Sequence, residues 1–421
     1  MNKQEYDNYL NILRGELIPA MGCTEPIAIA YAAAKARQLL GAMPERMVAR
    51  CSGNIIKNVK GVNVPNAGGQ KGVEVAAILG ALAGDPELEL QVISKVTPEA
   101  VEQVRRLNAQ KLCTCELQEG VENLFIRIEA AAGTDRVLVE LKTRHNHISY
   151  LEKNGQVLLD ADDIQTAECG DKSQLNIRDI IAFADAVALS DVEELIDLQI
   201  QYNNAISAEG LQREYGACVG KTLLELSPED LRTQAIARAA AGSDARMNGC
   251  ALPVVINSGS GNQGMTASLP VIEYAKELGS SQEELYRALL LSNLITLHQK
   301  TGIGRLSAYC GAVSAGAAAG AGIAFLHGAD LDTVSQTVVN ALAVTSGIIC
   351  DGAKASCAGK IAAAVDAGIL GFEMCRRSFR FLGGDGILRD DPEGTIQNVG
   401  RLGRIGMRET DQEIIKMMTE Y

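Results

Sequence analysis

The sequence predicts an α+β protein: a mixed α/β N-terminal domain with an antiparallel meander over residues 1–170, followed by an all-α C-terminal domain over residues 171–421. Three observations carry this. Residues 122–160 alternate apolar and polar side chains in short runs, the period of half-buried strands. From residue 177 onward the chain runs in Ala-, Leu- and Ile-rich segments broken by Gly-rich turns at 258–264, 302–304 and 347–352. Between the two lies an acidic, polar stretch, residues 160–173, with the composition of a linker.

Taken in order, a first helix places Tyr6, Leu10, Leu13 and Leu17 on one face and stops at Pro19. The loop Ala20-Met21-Gly22-Cys23 leads to Thr24, read as the N-cap of a second helix with Glu25 and Pro26 in its first turn. A strand is expected at 48–52, then a Gly/Asn-rich region to Gly72, a helix of Val and Ala, a strand near 90–93 and a helix over 98–107. In the meander, Leu124, Ile126 and Ile128 alternate with polar neighbours, as do Val137, Val139 and Leu141. Gly133-Thr134-Asp135 supplies one turn, and Asn154-Gly155 predicts a two-residue hairpin. The tail after Gly383 reads as irregular, with a last amphipathic stretch at 413–418.

Aromatics are only 4% of the chain while glycines number 42, which favours closely packed helices over a β-sandwich. A formal charge of −13 argues against nucleic acid and against an anionic membrane surface, since both reward a basic face. Residues 306–326 carry no charge, but their Ala, Gly and Ser insert poorly into lipid, so a helix buried in protein is expected. The polar first ten residues do not read as a secretory signal, and a cytoplasmic enzyme is the expectation. The Ala/Gly-rich helices suit a homodimer.

Eleven cysteines in a reducing compartment point to metal ligation or catalysis, although free Cys is also a good small core residue. The sharpest group is Cys310, Cys350 and Cys357, set among Gly, Ala and Ser beside helix starts that would stabilise thiolates. Three thiolates without a fourth would leave one iron of a cluster open as a Lewis acid; three buried cysteines are the competing reading. Cys23, at a helix start, is expected to have a lowered pKa and to act as base or nucleophile. The loop Ser258-Gly259-Ser260-Gly261-Asn262-Gln263-Gly264 offers backbone N–H groups to a carboxylate or phosphate, and the segment from Asn54 to Lys60 resembles a second anion-binding stretch. His145 and His147 would share a strand face, but no third ligand accompanies them and zinc is discounted. His298 and Lys300 either line a pocket or meet a helix dipole.

Together these motifs resemble the L-cysteine desulfidase family, related to the α-domain of the iron–sulfur L-serine dehydratases. The resemblance rests on Gly22-Cys23-Thr24-Glu25-Pro26, Ser52-Gly53-Asn54-Ile55-Ile56-Lys57-Asn58, the 258–264 loop and the three cysteines, and spans nearly the whole chain. It implies an oxygen-sensitive 4Fe–4S cluster with one open iron on Cys310, Cys350 and Cys357, and Cys23 as catalytic base. It further implies elimination of hydrogen sulfide from L-cysteine, giving pyruvate and ammonia. Ser260, Asn262 and Gln263, helped by Asn54 or Lys57, are expected to bind the substrate carboxylate. The last cysteine, Cys375, lies well before the end, which favours desulfidase over dehydratase.

The competing functions are an iron–sulfur L-serine dehydratase, a pyridoxal-phosphate lyase using Lys57, Lys300 or Lys354 for the Schiff base, and a non-enzymatic iron–sulfur redox sensor. No strand–Lys signature supports the lyase of the second kind, and the acidic chain offers the sensor no basic reading helix.

Overall fold

The structure is a computed structural model that describes residues 1–161 and 170–419. The expected linker therefore lies largely outside the described residues. The α+β class is as the sequence predicts. The N-terminal half contains helices α1 (Lys3–Glu16), α2 (Thr24–Leu40), α3 (Gly53–Lys60), α4 (Val73–Ala83) and α5 (Pro98–Ala109). Its strands are β1 (Pro19–Met21), β2 (Arg46–Cys51), β3 (Cys113–Leu117), β4 (Phe125–Ala132), β5 (Asp135–Lys142), β6 (Ile148–Lys153) and β7 (Gln156–Asp160). Six of them form one sheet in the order β3-β2-β4-β5-β6-β7, parallel only between β2 and β3.

The alternation read from the sequence sets the buried face. Ile126 and Ile128 on β4, with Val137, Val139 and Leu141 on β5, are buried and pack toward α2. Asn154 and Gly155 both take positive φ, as the Asn-Gly hairpin requires. The strand expected at 90–93 is absent: residues 86–91 form a 3-10 turn. Leu90 and Ile93 are buried there without any ladder partner, so the apolar run marked burial and not extended backbone.

In the second half follow α6 (Ile177–Ala186), α7 (Glu193–Gln212), α8 (Val219–Leu226), α9 (Leu231–Met247), strand β8 (Pro253–Val255) and α10 (Gly261–Leu278). Then come α11 (Gln282–Ile303), α12 (Gly311–Leu326), α13 (Leu331–Thr345), α14 (Cys357–Arg376), α15 (Pro392–Arg401) and α16 (Arg408–Thr419). The one departure from an all-α half is β8, which pairs antiparallel with β1 through Ala20 and Val254. This two-stranded link brings the loop after β1 beside the loop after β8.

The uncharged run of the sequence is α12, the buried axis of the helical half, packed by α10, α11, α13 and α14. No helix among the described residues is long and apolar enough to cross a membrane. Small residues let α12 and α14 touch backbone to backbone. A Cβ added at Gly320 would lie 2.3 Å from Gly368 O, and one at Gly368 would lie 2.1 Å from Gly316 O. Gly368→Ala is therefore expected to destabilise the fold by about 3 kcal/mol, the upper range for overpacking a rigid core. The midpoint of urea unfolding measures it, and an unchanged midpoint would mean that the two helices are free to separate.

Candidate active site

Cys310, Cys350 and Cys357 are drawn together by backbone pairing and by the close helix approach just described. Cys310 is the N-cap of α12 and Cys357 the first residue of α14. Between them the 348–350 segment pairs antiparallel with 308–310: Cys310 N–H donates to Ile348 O at 3.1 Å and Cys350 N–H to Ala308 O at 2.6 Å. All three side chains line one cavity of ≈ 90 Å³. Burial, then charge on Cys350 and Cys357, pushes the Cys310 thiol up to about 12, and burial also raises Cys357.

Cys23 lines the same cavity. It is itself the N-cap of α2, one residue before the predicted cap, and Thr24 is the first helical residue, its hydroxyl donating to Gly259 O at 2.8 Å. The Cys23 thiol, 1% exposed, donates to Glu25 Oε2 at 3.0 Å. The lowered pKa expected of a cysteine at a helix start is not found. Burial and the adjacent Glu25 carboxylate push the thiol well up, against the pull of Arg246. Fixed charge and desolvation here outweigh the helix dipole.

Glu25 organises this corner. Its Oε1 accepts from Asn58 Nδ2 at 3.0 Å and lies 3.7 Å from His145 Nε2, which has no hydrogen-bond partner. Burial pushes the carboxyl up, but His145 and the Cys23 thiol more than offset it, holding it down at about 2. A carboxylate held below its ordinary value near 4.5 adds stability that is full above that value and lost as pH falls through about 2. Glu25→Gln is thus expected to flatten the melting temperature between pH 2 and 4.5, measured by a pH series of thermal melts. A wild-type slope in the variant would show that Glu25 does not carry that linkage.

The 258–264 loop forms the adjoining wall. Ser258 and Gly259 take positive φ, and Ser260 is the N-cap of α10 without a side-chain cap bond. Ser260, Asn262 and Gln263 line the cavity; Asn262 Oδ1 accepts from Arg246 Nη1 at 3.0 Å, and Gln263 Oε1 is buried without a partner. Lys300 lines it too, with burial holding its ammonium down at about 8.

Two expected substrate contacts are not in the cavity. Asn54 Nδ2 donates to Asp411 Oδ2 at 2.7 Å, and Lys57 Nζ pairs with Asp411 Oδ1 at 2.6 Å and donates to Cys350 O at 3.3 Å. Helical spacing turns them toward α16, so they tie down the C-terminal helix and the Cys350 turn from behind; of that segment, Asn58 lines the cavity. The two histidines expected on one strand face both lie in the turn between β5 and β6, which opens at Thr143 with φ 62°. His145 enters the site and His147 bonds Ala161 O. His298 instead pairs with Glu393 at 2.6 Å. Glu25, Asn58, His145, Arg246 and Arg305 are among the cavity groups that sequence reasoning did not assign to the site. Glu25 and Asn58 stand inside motifs already singled out, two residues from Cys23 and one from Lys57.

The helical half thus brings three cysteines to a cavity wall beside the Cys23 thiol and its Glu25 partner. Residues 87–416 match the serine dehydratase alpha chain family, and the chain belongs to that family. It is similar along its length to proteins of the UPF0597 group. One from Desulfitobacterium hafniense is 53% identical over 422 residues, covering 99% of this chain and 98% of that protein. One from Lachnoclostridium phytofermentans is 49% identical over 417 residues, covering 98% and 99%. A more distant one, from Bacteroides fragilis, is 36% identical and covers 100% and 99%.

Proposed function

We propose that the chain is a β-eliminating lyase that removes hydrogen sulfide from L-cysteine, with a 4Fe–4S cluster held by Cys310, Cys350 and Cys357. The observation that carries this is one buried cavity lined by those cysteines, by Cys23 with Glu25, and by the start of α10. The chemistry of the donor set suits the group: three cysteines line one cavity, and thiolates are the ligands of iron–sulfur clusters. Burial and mutual repulsion raise Cys310, a cost that binding a cationic centre removes. When bound, the cluster supplies a Lewis-acidic iron for a soft leaving group.

The protein's own groups account for the rest. The amino-acid carboxylate sits at the N-terminus of α10, where backbone N–H groups and the helix dipole favour an anion. Cys23 takes the Cα proton. Its own proton, resting in the bond to Glu25, must leave first; Glu25, held down at about 2, does not keep it, and His145, whose unpartnered Nε2 lies 3.7 Å from Glu25, is the group beside it that takes it up. The Cα–H electron pair then forms the Cα=Cβ bond, the Cβ–S bond breaks, and sulfur leaves with its electrons as hydrosulfide. The 2-aminoacrylate product tautomerises and takes up water, giving pyruvate and ammonium.

The test is anaerobic reconstitution with iron and sulfide, removal of free sulfide, and assay of pyruvate and sulfide from L-cysteine with L-serine in parallel. Equal yields of both from cysteine, with little pyruvate from serine, are expected. Turnover of serine instead would make the enzyme a dehydratase, and silence on both with a full cluster would reject the substrate class.

A further inference from the structure

Arg246 has no part in the mechanism above, yet it is a buried charge on the cavity with no counter-anion. It stands in the last turn of α9 and is 2% exposed. An arginine there ordinarily turns its guanidinium to solvent or to the last carbonyls of its own helix. Here the side chain crosses to α10 instead: a Cβ added at Gly261 would lie 2.4 Å from Arg246 Nε and 2.9 Å from Cζ. Only glycine at the first position of α10 leaves room for this. Nη1 donates to Asn262 Oδ1 at 3.0 Å and makes a long contact with Met247 Sδ at 4.0 Å. Nε is buried with no partner, and among the described residues no carboxylate pairs with the guanidinium. Arg305, the other arginine on the cavity, is already committed to the buried Glu16 at 2.6 Å.

A buried guanidinium without a counter-anion is costly, so its environment is complete only when an anion enters. Its planar fork and the uncapped start of an 18-residue helix meet at the same place. A fork beside a helix N-terminus matches a carboxylate, which is flat, carries one charge and accepts two parallel bonds. The cavity, ≈ 90 Å³, is shared with the three cysteines, so an acid bound at the fork is held beside them and must be small.

We infer that Arg246, positioned by Asn262, is the carboxylate-recognition residue of this cavity and restricts its ligands to small α-amino or α-keto acids. The inference deepens the proposed elimination and rests on it for the identity of the acid, but the anion site is testable alone. Asn262 is then a positioning residue whose oxygen holds the fork in plane, and its direct substrate contact is not required.

Pyruvate is titrated calorimetrically against the full chain, anaerobically, before and after reconstitution with iron and sulfide. Wild type, Arg246→Gln and Asn262→Asp are compared, with cysteamine, which lacks the carboxylate, as the second probe. Pyruvate affinity is expected to fall roughly 30-fold or more in Arg246→Gln, as on truncating one member of a buried charge pair. Asn262→Asp sets a resident carboxylate against the fork, keeps the fold by a new ion pair, and is expected to lose pyruvate equally. It decides the matter if Arg246→Gln does not fold. Cysteamine affinity should be the same in all three proteins. Wild-type pyruvate affinity in the folded variants, or no pyruvate binding by wild type, overturns the inference. Arg246-dependent pyruvate binding in a protein that releases no sulfide from cysteine would sink the desulfidase reading and leave this site standing.

Discussion

Replacing Cys23 with serine is expected to lower kcat for pyruvate formation about a thousandfold while leaving the iron content at the wild-type level. The serine hydroxyl keeps the hydrogen bond to Glu25 Oε2 that the thiol makes, so the N-terminus of α2 and the contact between Thr24 and Gly259 survive. What disappears is the more acidic of the two groups, the thiol. The buried thiol is already raised above its ordinary value by desolvation and by Glu25, and a hydroxyl in that position starts several units higher still. The same environment predicts that wild-type kcat climbs with pH as the thiol loses its proton. Steady-state pyruvate assays over a pH series, with iron and sulfide analysis of the same samples, separate the roles. Undiminished turnover in the variant would remove Cys23 as the base, and loss of iron would assign it to the cluster.

The second large effect is expected at Cys350, where alanine should abolish both iron retention and turnover while the protein stays folded. The side chain is only half-buried, and the turn that carries it is held through its backbone, by Cys350 N–H on Ala308 O and by Lys57 Nζ on Cys350 O. Losing the thiol therefore leaves the pairing of 308–310 with 348–350 in place and takes away one of three ligands. Cys375→Ser provides the comparison. That cysteine contacts Thr337 and Asn340 between α13 and α14, away from the cavity, and its replacement should leave iron unchanged. Iron per chain after anaerobic reconstitution and gel filtration is the measurement. Full iron in Cys350→Ala would strike that residue from the ligand set, and equal losses at both positions would point to general instability.

Much of the fold could be read in advance because it rests on local pattern. The alternating runs of β4 and β5, the Asn-Gly turn, and the uncharged Ala/Gly run of α12 each commit a short stretch of chain whatever surrounds it. The strand expected at 90–93 failed for a related reason. A four-residue apolar run shows burial, but a strand needs a neighbour to pair with, and only tertiary structure supplies one. The start of α2 shifted by one residue because Thr24 finds Gly259 O, 235 positions away, and so does not cap its own helix.

The site divides along the same line. By itself the sequence singled out the candidate groups: three cysteines among small residues, a cysteine before a helix, and a Gly-rich loop opening another. Only the tertiary structure decided which of those groups share a cavity and in what state. The pairing of β1 with β8 sets Cys23 beside the 258–264 loop, and the close approach of α12 and α14 gathers Cys310 with Cys357. Asn54 and Lys57 turn instead toward Asp411, while Asn58 turns inward. The protonation of Cys23 was beyond any local rule, because a pKa is set by burial and by charges such as Glu25 and Arg246 that folding brings within a few ångströms.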